Sequence, residues 1–140
     1  MQMLELSRLD RKKLEEYISN FELYKRELRF TEYLIMENHE PENLEGGQSN
    51  MIGRPVEAEV IKKNEDKKYR HLNDVVSGVQ RLYDNSDLDT QEMIRLRYWD
   101  CPINACEWKD IANHFCVSEA VIYRRRAAML NELAKYIGYV

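Results

Sequence analysis

Glycine (5) and proline (3) are scarce among the 140 residues, so long helices meet few interruptions. Stretches that alternate apolar and polar side chains are also few, which argues against sheet. The expected fold class is therefore all-α. No run approaches the roughly 20 apolar residues that span a bilayer. The N-terminus lacks the apolar segment of a secretory signal, so no membrane is expected to be involved. Three cysteines are an odd number in a small helical chain, which favours a reducing cytoplasm over a disulfide framework. No histidine stands beside an evident nucleophile, and the carboxylates fall on solvated helix faces. An enzyme is not expected, and no cofactor is implied.

Excess positive charge is lacking too. The net charge is −4, unlike that of a protein that coats nucleic acid. Residues 85–140 hold 7 basic against 8 acidic side chains. A DNA reader with this balance must use a local patch, and few phosphate contacts with moderate salt dependence follow.

What is present is a patch of that kind, within WKDIANHFCVSEAVIYRRR at Trp108–Arg126. The spacing predicts a short helix over roughly Glu107–His114, a tight turn at Phe115-Cys116-Val117, and a second helix from Glu119 capped by Ser118. Ile111, Phe115, Val117 and Ile122 can share one small core, and Ala112 lets the two helices approach closely. Glu119, Ala120, Tyr123, Arg124 and Ala127 then fall on the face away from Ile122. Short, polar and bidentate groups suit a helix that enters a major groove.

The remainder is expected to support this helix-turn-helix. Residues 7–39 predict one long helix with Ser7 as a candidate cap. Its stripe comprises Leu14, Tyr17, Ile18, Phe21, Tyr24, Leu28, Thr31 and Ile35. Packing against another helix of the chain explains that stripe better than a coiled-coil dimer seam does. Pro41, Gly46, Gly47, Ser49, Asn50 and Gly53 predict a flexible loop over 40–54. Residues 55–84 predict a second long helix, with Pro55 in its first turn and a stripe through Val56, Val60, Ile61, Tyr69, Leu72, Val76, Val79 and Tyr83. An antiparallel pair would bury both stripes. Asn85-Ser86-Asp87 is a turn. Asp89 and Glu92 suggest a capping box, and Leu88 with Met93 a hydrophobic staple, ahead of a helix over Thr90–Trp99. The expected domains are 1–85, a helical N-terminal part, and 86–140, the DNA-binding part. The last helix has no stop before Gly138.

Arg124 is the first candidate for base reading, as a bidentate donor to guanine; the alternative is a surface arginine paired with Glu119 or Glu132. Tyr123 fits a base or phosphate contact as well as it fits packing against Phe115. Glu119 suits acceptance from a cytosine amine or a helix N-terminus. Ser118 is foremost a cap. Arg125, Arg126 and Lys109 are candidates for phosphates, and Asn113 and His114 lie where backbone contacts occur. Cys101, Cys106, His114 and Cys116 fall within sixteen residues, yet they match no paired Cys-x-x-Cys knuckle. No metal is expected, and the cysteines are read as small buried side chains.

LDTQEMIRLRYWD followed by WKDIANHFCVSEAVIYRRR resembles region 4 of a sigma factor. Within that group, SEAVIYRRR and the LAKYIGY ending are most similar to the RinA-type bacteriophage transcriptional activators. The match covers about residues 86–140. The resemblance implies an activator of late phage packaging and structural genes, acting on double-stranded promoter DNA with host RNA polymerase in the bacterial cytoplasm. A homodimer would supplement the weak positive charge. Rival readings are a sigma-like polymerase-binding adaptor, a DNA-packaging recognition subunit and an autonomous sigma factor. Two positions depart from the pattern. Cys116 stands where glycine is frequent, so the turn must either avoid or tolerate positive φ, and a slightly altered turn is expected. Arg125 stands where an aliphatic residue is often buried, so its stem is expected to cover the core while its head reaches out.

Overall fold

The computed structural model describes residues 5–46, 66–103 and 105–139, with side chains placed for all of these except 38–46. Every regular element among them is helical, and the fold class is all-α. The helices are α1 (Arg8–Ser19), α2 (Phe21–Gly46), α3 (Lys67–Asn85), α4 (Leu88–Ile94), α5 (Trp108–His114) and α6 (Glu119–Ile137), with a π-helical turn at Arg95–Trp99 between α4 and α5. None of the described helices is long and apolar enough to cross a membrane.

Ser7 begins α1 with a reciprocal cap. Its hydroxyl accepts from the Asp10 amide at 3.1 Å, and the Asp10 carboxylate accepts from the Ser7 amide at 2.8 Å. The single helix expected over 7–39 breaks at Asn20 (φ −102°, ψ 24°), whose amide still donates to the Glu16 carbonyl. Asparagine accepts such a departure because its side chain competes locally for backbone bonds. Only one residue leaves the helix, so the apolar period survives. Leu14, Tyr17, Ile18, Phe21, Thr31 and Ile35 are all buried. Helix α2 then continues through Pro41 to Gly46, where a loop was expected. Residues 47–54 of that expected loop lie outside the described residues. So do 55–65, with Pro55, Val56, Val60 and Ile61 of the second stripe. In α3 the buried positions are Leu72, Val75, Val79 and Leu82; the stripe is thus turned towards Val75 and Leu82, with Val76 and Tyr83 half-buried.

Asp87, not Asp89, caps α4. Its backbone is extended (φ −71°, ψ 171°) and its carboxylate accepts from the Thr90 amide at 2.8 Å. Leu88 therefore becomes the first helical residue and points outward, 81% exposed, while Met93 is buried. The expected staple between them does not form. Beyond Ile94 the helix widens. The Asp100 amide donates to the Arg95 carbonyl at 2.7 Å, five residues back. That extra residue per turn re-aims Tyr98 and Trp99. The Trp99 indole donates to the Ile18 carbonyl at 2.9 Å and lies against Phe21 and Tyr83.

The chain divides into two compact units, Met1–Phe21 with Val75–Val140, and Glu22–Asp74. The division differs from the expected boundary at 85/86, and the reason is physical. Leu14, Tyr17 and Ile18 of α1 and Val75, Val79 and Leu82 of α3 are buried in the same unit as Met93, Ile94, Ile111, Ile122, Leu130 and Leu133. Gly78 brings α3 against the end of α6: a Cβ there would stand 2.5 Å from Ile137 Cγ1 and 3.3 Å from its backbone nitrogen. In the other unit, Thr31, Ile35 and Leu72 are buried and Lys68 lies 3.8 Å from Glu27.

Candidate nucleic-acid interface

Helix α5 starts from Glu107, whose amide donates to the Asp110 carboxylate at 3.3 Å. Its inward residues are Ile111 and Ala112, at 0% and 2% exposure. The chain turns at Phe115-Cys116-Val117, where the Val117 amide donates back to the Ala112 carbonyl at 3.0 Å. Cys116 takes φ +57°, so of the two ways open to a non-glycine residue the turn tolerates the left-handed conformation rather than avoiding it. Ser118 then caps α6, its hydroxyl accepting from the Val121 amide at 3.3 Å. Ile122, fully buried, is the pivot that holds the first turns of α6 against α5. At the far end Gly138 closes the helix at φ +80°, its amide donating to Ala134, a left-handed cap of the kind glycine supplies.

This scaffold sorts the candidate residues. Ser118, Glu119, Ala120, Tyr123 and Arg124 are exposed, as are Lys109, Asn113 and His114. Among the described residues Arg124 makes no ion pair, so neither Glu119 nor Glu132 claims it. Tyr123 is 47% exposed, and its inner edge meets Trp108, with ring centres 6.4 Å apart, rather than Phe115. His114 is turned towards α4, with Nε2 3.4 Å from a Glu92 carboxylate oxygen.

The three adjacent arginines have three different surroundings. Arg124 faces outward. Arg125 is half-buried, and it is its guanidinium head that lies 5.8 Å from the centre of the Phe115 ring. Its charge also helps to hold the Asp87 carboxyl low, after the dominant hydrogen bonds from Thr90. Arg126, expected at a phosphate, is instead engaged inside the protein. Its Nε donates to Glu15 at 3.0 Å and its Nη2 to the other oxygen of the same carboxylate. Such a fork-on-fork pair fixes geometry as well as charge. Tyr98 adds a third bond, its hydroxyl donating to Glu15 at 2.6 Å. Burial by itself would raise the Glu15 carboxyl; the bonds from Arg126 and Tyr98 outweigh it and leave the group below its ordinary value. Burial and the adjacent carboxylate push the Tyr98 phenol far up.

Trp108 ties these groups together. The guanidinium carbons of Arg97 and Arg126 lie 5.1 and 5.5 Å from its ring centre, and Tyr98 meets it edge-on. Neither Trp108 nor Glu15 was singled out from the sequence. Trp108 opens the motif and could have been found as the only large apolar residue at its start. Glu15 sits 111 residues from Arg126 and carries no local signal.

The cysteines differ from expectation as well. Cys101 and Cys106 are joined in a disulfide, with Cα atoms 5.0 Å apart. Cys101 and Cys116 are exposed rather than buried, and Cys116 is a free thiol. One local bridge thus stands where small buried cysteines were expected.

Neither the curated proteins nor the solved structures contain a match to this chain. The family model DUF722, described as a protein of unknown function, matches residues 6–135. With nearly its whole length covered, the chain belongs to that family.

Proposed function

We propose that this chain is a sequence-specific DNA-binding transcriptional activator, similar to the RinA-type activators of phage late genes, that inserts the exposed face of α6 into a major groove. The observation that carries the reading is the sorting around Ile122. The pivot is wholly buried, while Glu119, Ala120, Tyr123 and Arg124 are presented together on the first two turns. Arg124 reads guanine, with Tyr123 and Glu119 beside it. Lys109 and Asn113, one turn apart on α5, and the Ser118 hydroxyl hold the sugar-phosphate backbone. Arg125 supports the turn through Phe115 and reaches phosphate at its tip. Arg126 serves by fixing α6 to α1. Host RNA polymerase is the proposed partner, with a homodimer as the second route to adequate affinity.

Footprinting of the full chain on DNA upstream of its phage's late genes, with and without host polymerase, tests this. A discrete footprint by the chain alone is expected. Protection only in the presence of polymerase would replace the activator reading with a sigma-like adaptor. Its absence in both conditions would remove DNA reading altogether, and a ring-sized assembly in solution would then favour a packaging subunit.

A further inference from the structure

The segment between the π-turn and α5 contains CPINAC, Cys101–Cys106. Its two cysteines are bridged across five positions of sequence. Three features set this bridge apart from a structural staple. Cys101 is exposed, so a thiolate from solution can reach it. The backbone at Cys101 is held at φ +36°, a region that L side chains rarely adopt, so opening the ring gives the turn somewhere to relax. The ring also ends on the machinery of the candidate interface. The Cys106 carbonyl accepts from Arg97 Nη1 at 3.0 Å, the same guanidinium faces Trp108 two residues on, and Trp108 supports Tyr123.

We propose that Cys101 and Cys106 form a reversible dithiol–disulfide site that sets the order of the start of α5 and, through Trp108, the seating of Tyr123. The last clause rests on the DNA-reading proposal; the first does not. The co-reactant is a low-molecular-weight disulfide. The thiolate of one cysteine attacks it, forming a mixed disulfide and releasing one thiol. The thiolate of the other cysteine then displaces the second thiol and closes the ring. Two electrons pass from the cysteine pair to the small disulfide, and the two protons lost by the cysteines end on the two released thiols. Excess thiol reverses both steps. The ring-closed form holds Arg97 and Trp108 as observed, and the dithiol form releases the segment 101–108.

The test uses the full chain in a series of glutathione ratios, from fully reduced to fully oxidised. Alkylation followed by mass spectrometry counts the free thiols. The expected result is loss of two thiols together, mapped to Cys101 and Cys106, with Cys116 still alkylated. Hydrogen exchange read by mass spectrometry should quicken about tenfold over 101–111 on reduction, with α1 and the α3 segment 75–85 unchanged. Cys101→Ser should exchange like the reduced form even in oxidised glutathione. Three thiols at every ratio, pairing through Cys116, or equal exchange in the two states would overturn the proposal. None of these readouts involves DNA, so failure of the DNA-reading proposal leaves them interpretable. Where a footprint exists, it should weaken at least threefold on reduction in wild type and not change with glutathione ratio in Cys101→Ser.

Discussion

Arg126 shows how far the meaning of one side chain depends on what lies opposite it. In sequence it is the third of three arginines; in the structure it is the inner half of a fork with Glu15. Removing one partner of a buried pair leaves the other charge uncompensated, at about 3–5 kcal/mol for full burial. Both side chains here keep some solvent contact, at 24% and 16% exposure. Glu15→Gln should therefore cost about 2–3 kcal/mol, read as a lowered urea midpoint at neutral pH. The pH dependence has a defined sign. The folded-state Glu15 carboxyl lies below its ordinary value of 4.5, so its contribution is fully present above that value and is lost as pH falls through the lowered one. Wild type should lose stability more steeply in acid than Glu15→Gln, and the two should converge at low pH. Cys116 offers the opposite case. At φ +57° it pays for a conformation that glycine adopts freely, so Cys116→Gly should stabilise by about 0.5–1 kcal/mol, net of the added freedom of the unfolded chain. A lowered midpoint would mean that the thiol makes contacts outweighing the backbone strain.

Caps and turns carry the element scale. The helix starts at Ser7 and Ser118, the stop at Gly138 and the tight turn at residues 115–117 were legible because each is written within four residues of sequence. The start of α4 was legible only to within a turn, since Asp87 and Asp89 are equally good capping types two residues apart. Backbone conformation at Asp87, extended at φ −71° and ψ 171°, decides between them. Asp87→Ala should cost about 1 kcal/mol, while Asp89→Ala should cost far less, by thermal or urea unfolding. Equal costs would mean that the cap alternates. The break at Asn20 and the widened turn at Arg95–Trp99 were not legible. The widened turn suits a partner that is remote in sequence, as Trp99 shows in donating to the Ile18 carbonyl, and the break at Asn20 carries no proline or glycine to announce it. Gly78 likewise gives no local hint that it admits the end of α6. Gly78→Leu should destabilise by about 1–3 kcal/mol through overpacking against Ile137.

At the scale of the whole molecule, the expected division into an N-terminal part and a DNA-binding part followed the order of the chain, whereas the compact units do not. Helix α1 lies in the same unit as α5 and α6, and α3 is shared between units. Apolar stripes announce that helices will be buried, but not which helices will meet. Truncation before residue 22 should therefore unfold the C-terminal helices rather than leave a working fragment, as circular dichroism and proteolysis would show. A fragment of residues 86–140 with native helicity would contradict this placement of α1. The exposed face of α6 was legible because period and capping together fix which side of a helix faces its neighbour.

The central claim, that this face reads bases, is tested most directly by selection of duplexes from a random pool with the purified full chain, its Arg124→Ala variant and its Lys109→Ala variant. Wild type should enrich a discrete motif. Arg124→Ala should lose preference at one guanine, with about 1–3 kcal/mol less discrimination there, whereas Lys109→Ala should weaken binding evenly across sequences. Enrichment by Arg124→Ala of the same motif, with the same preference at every position, would contradict the account.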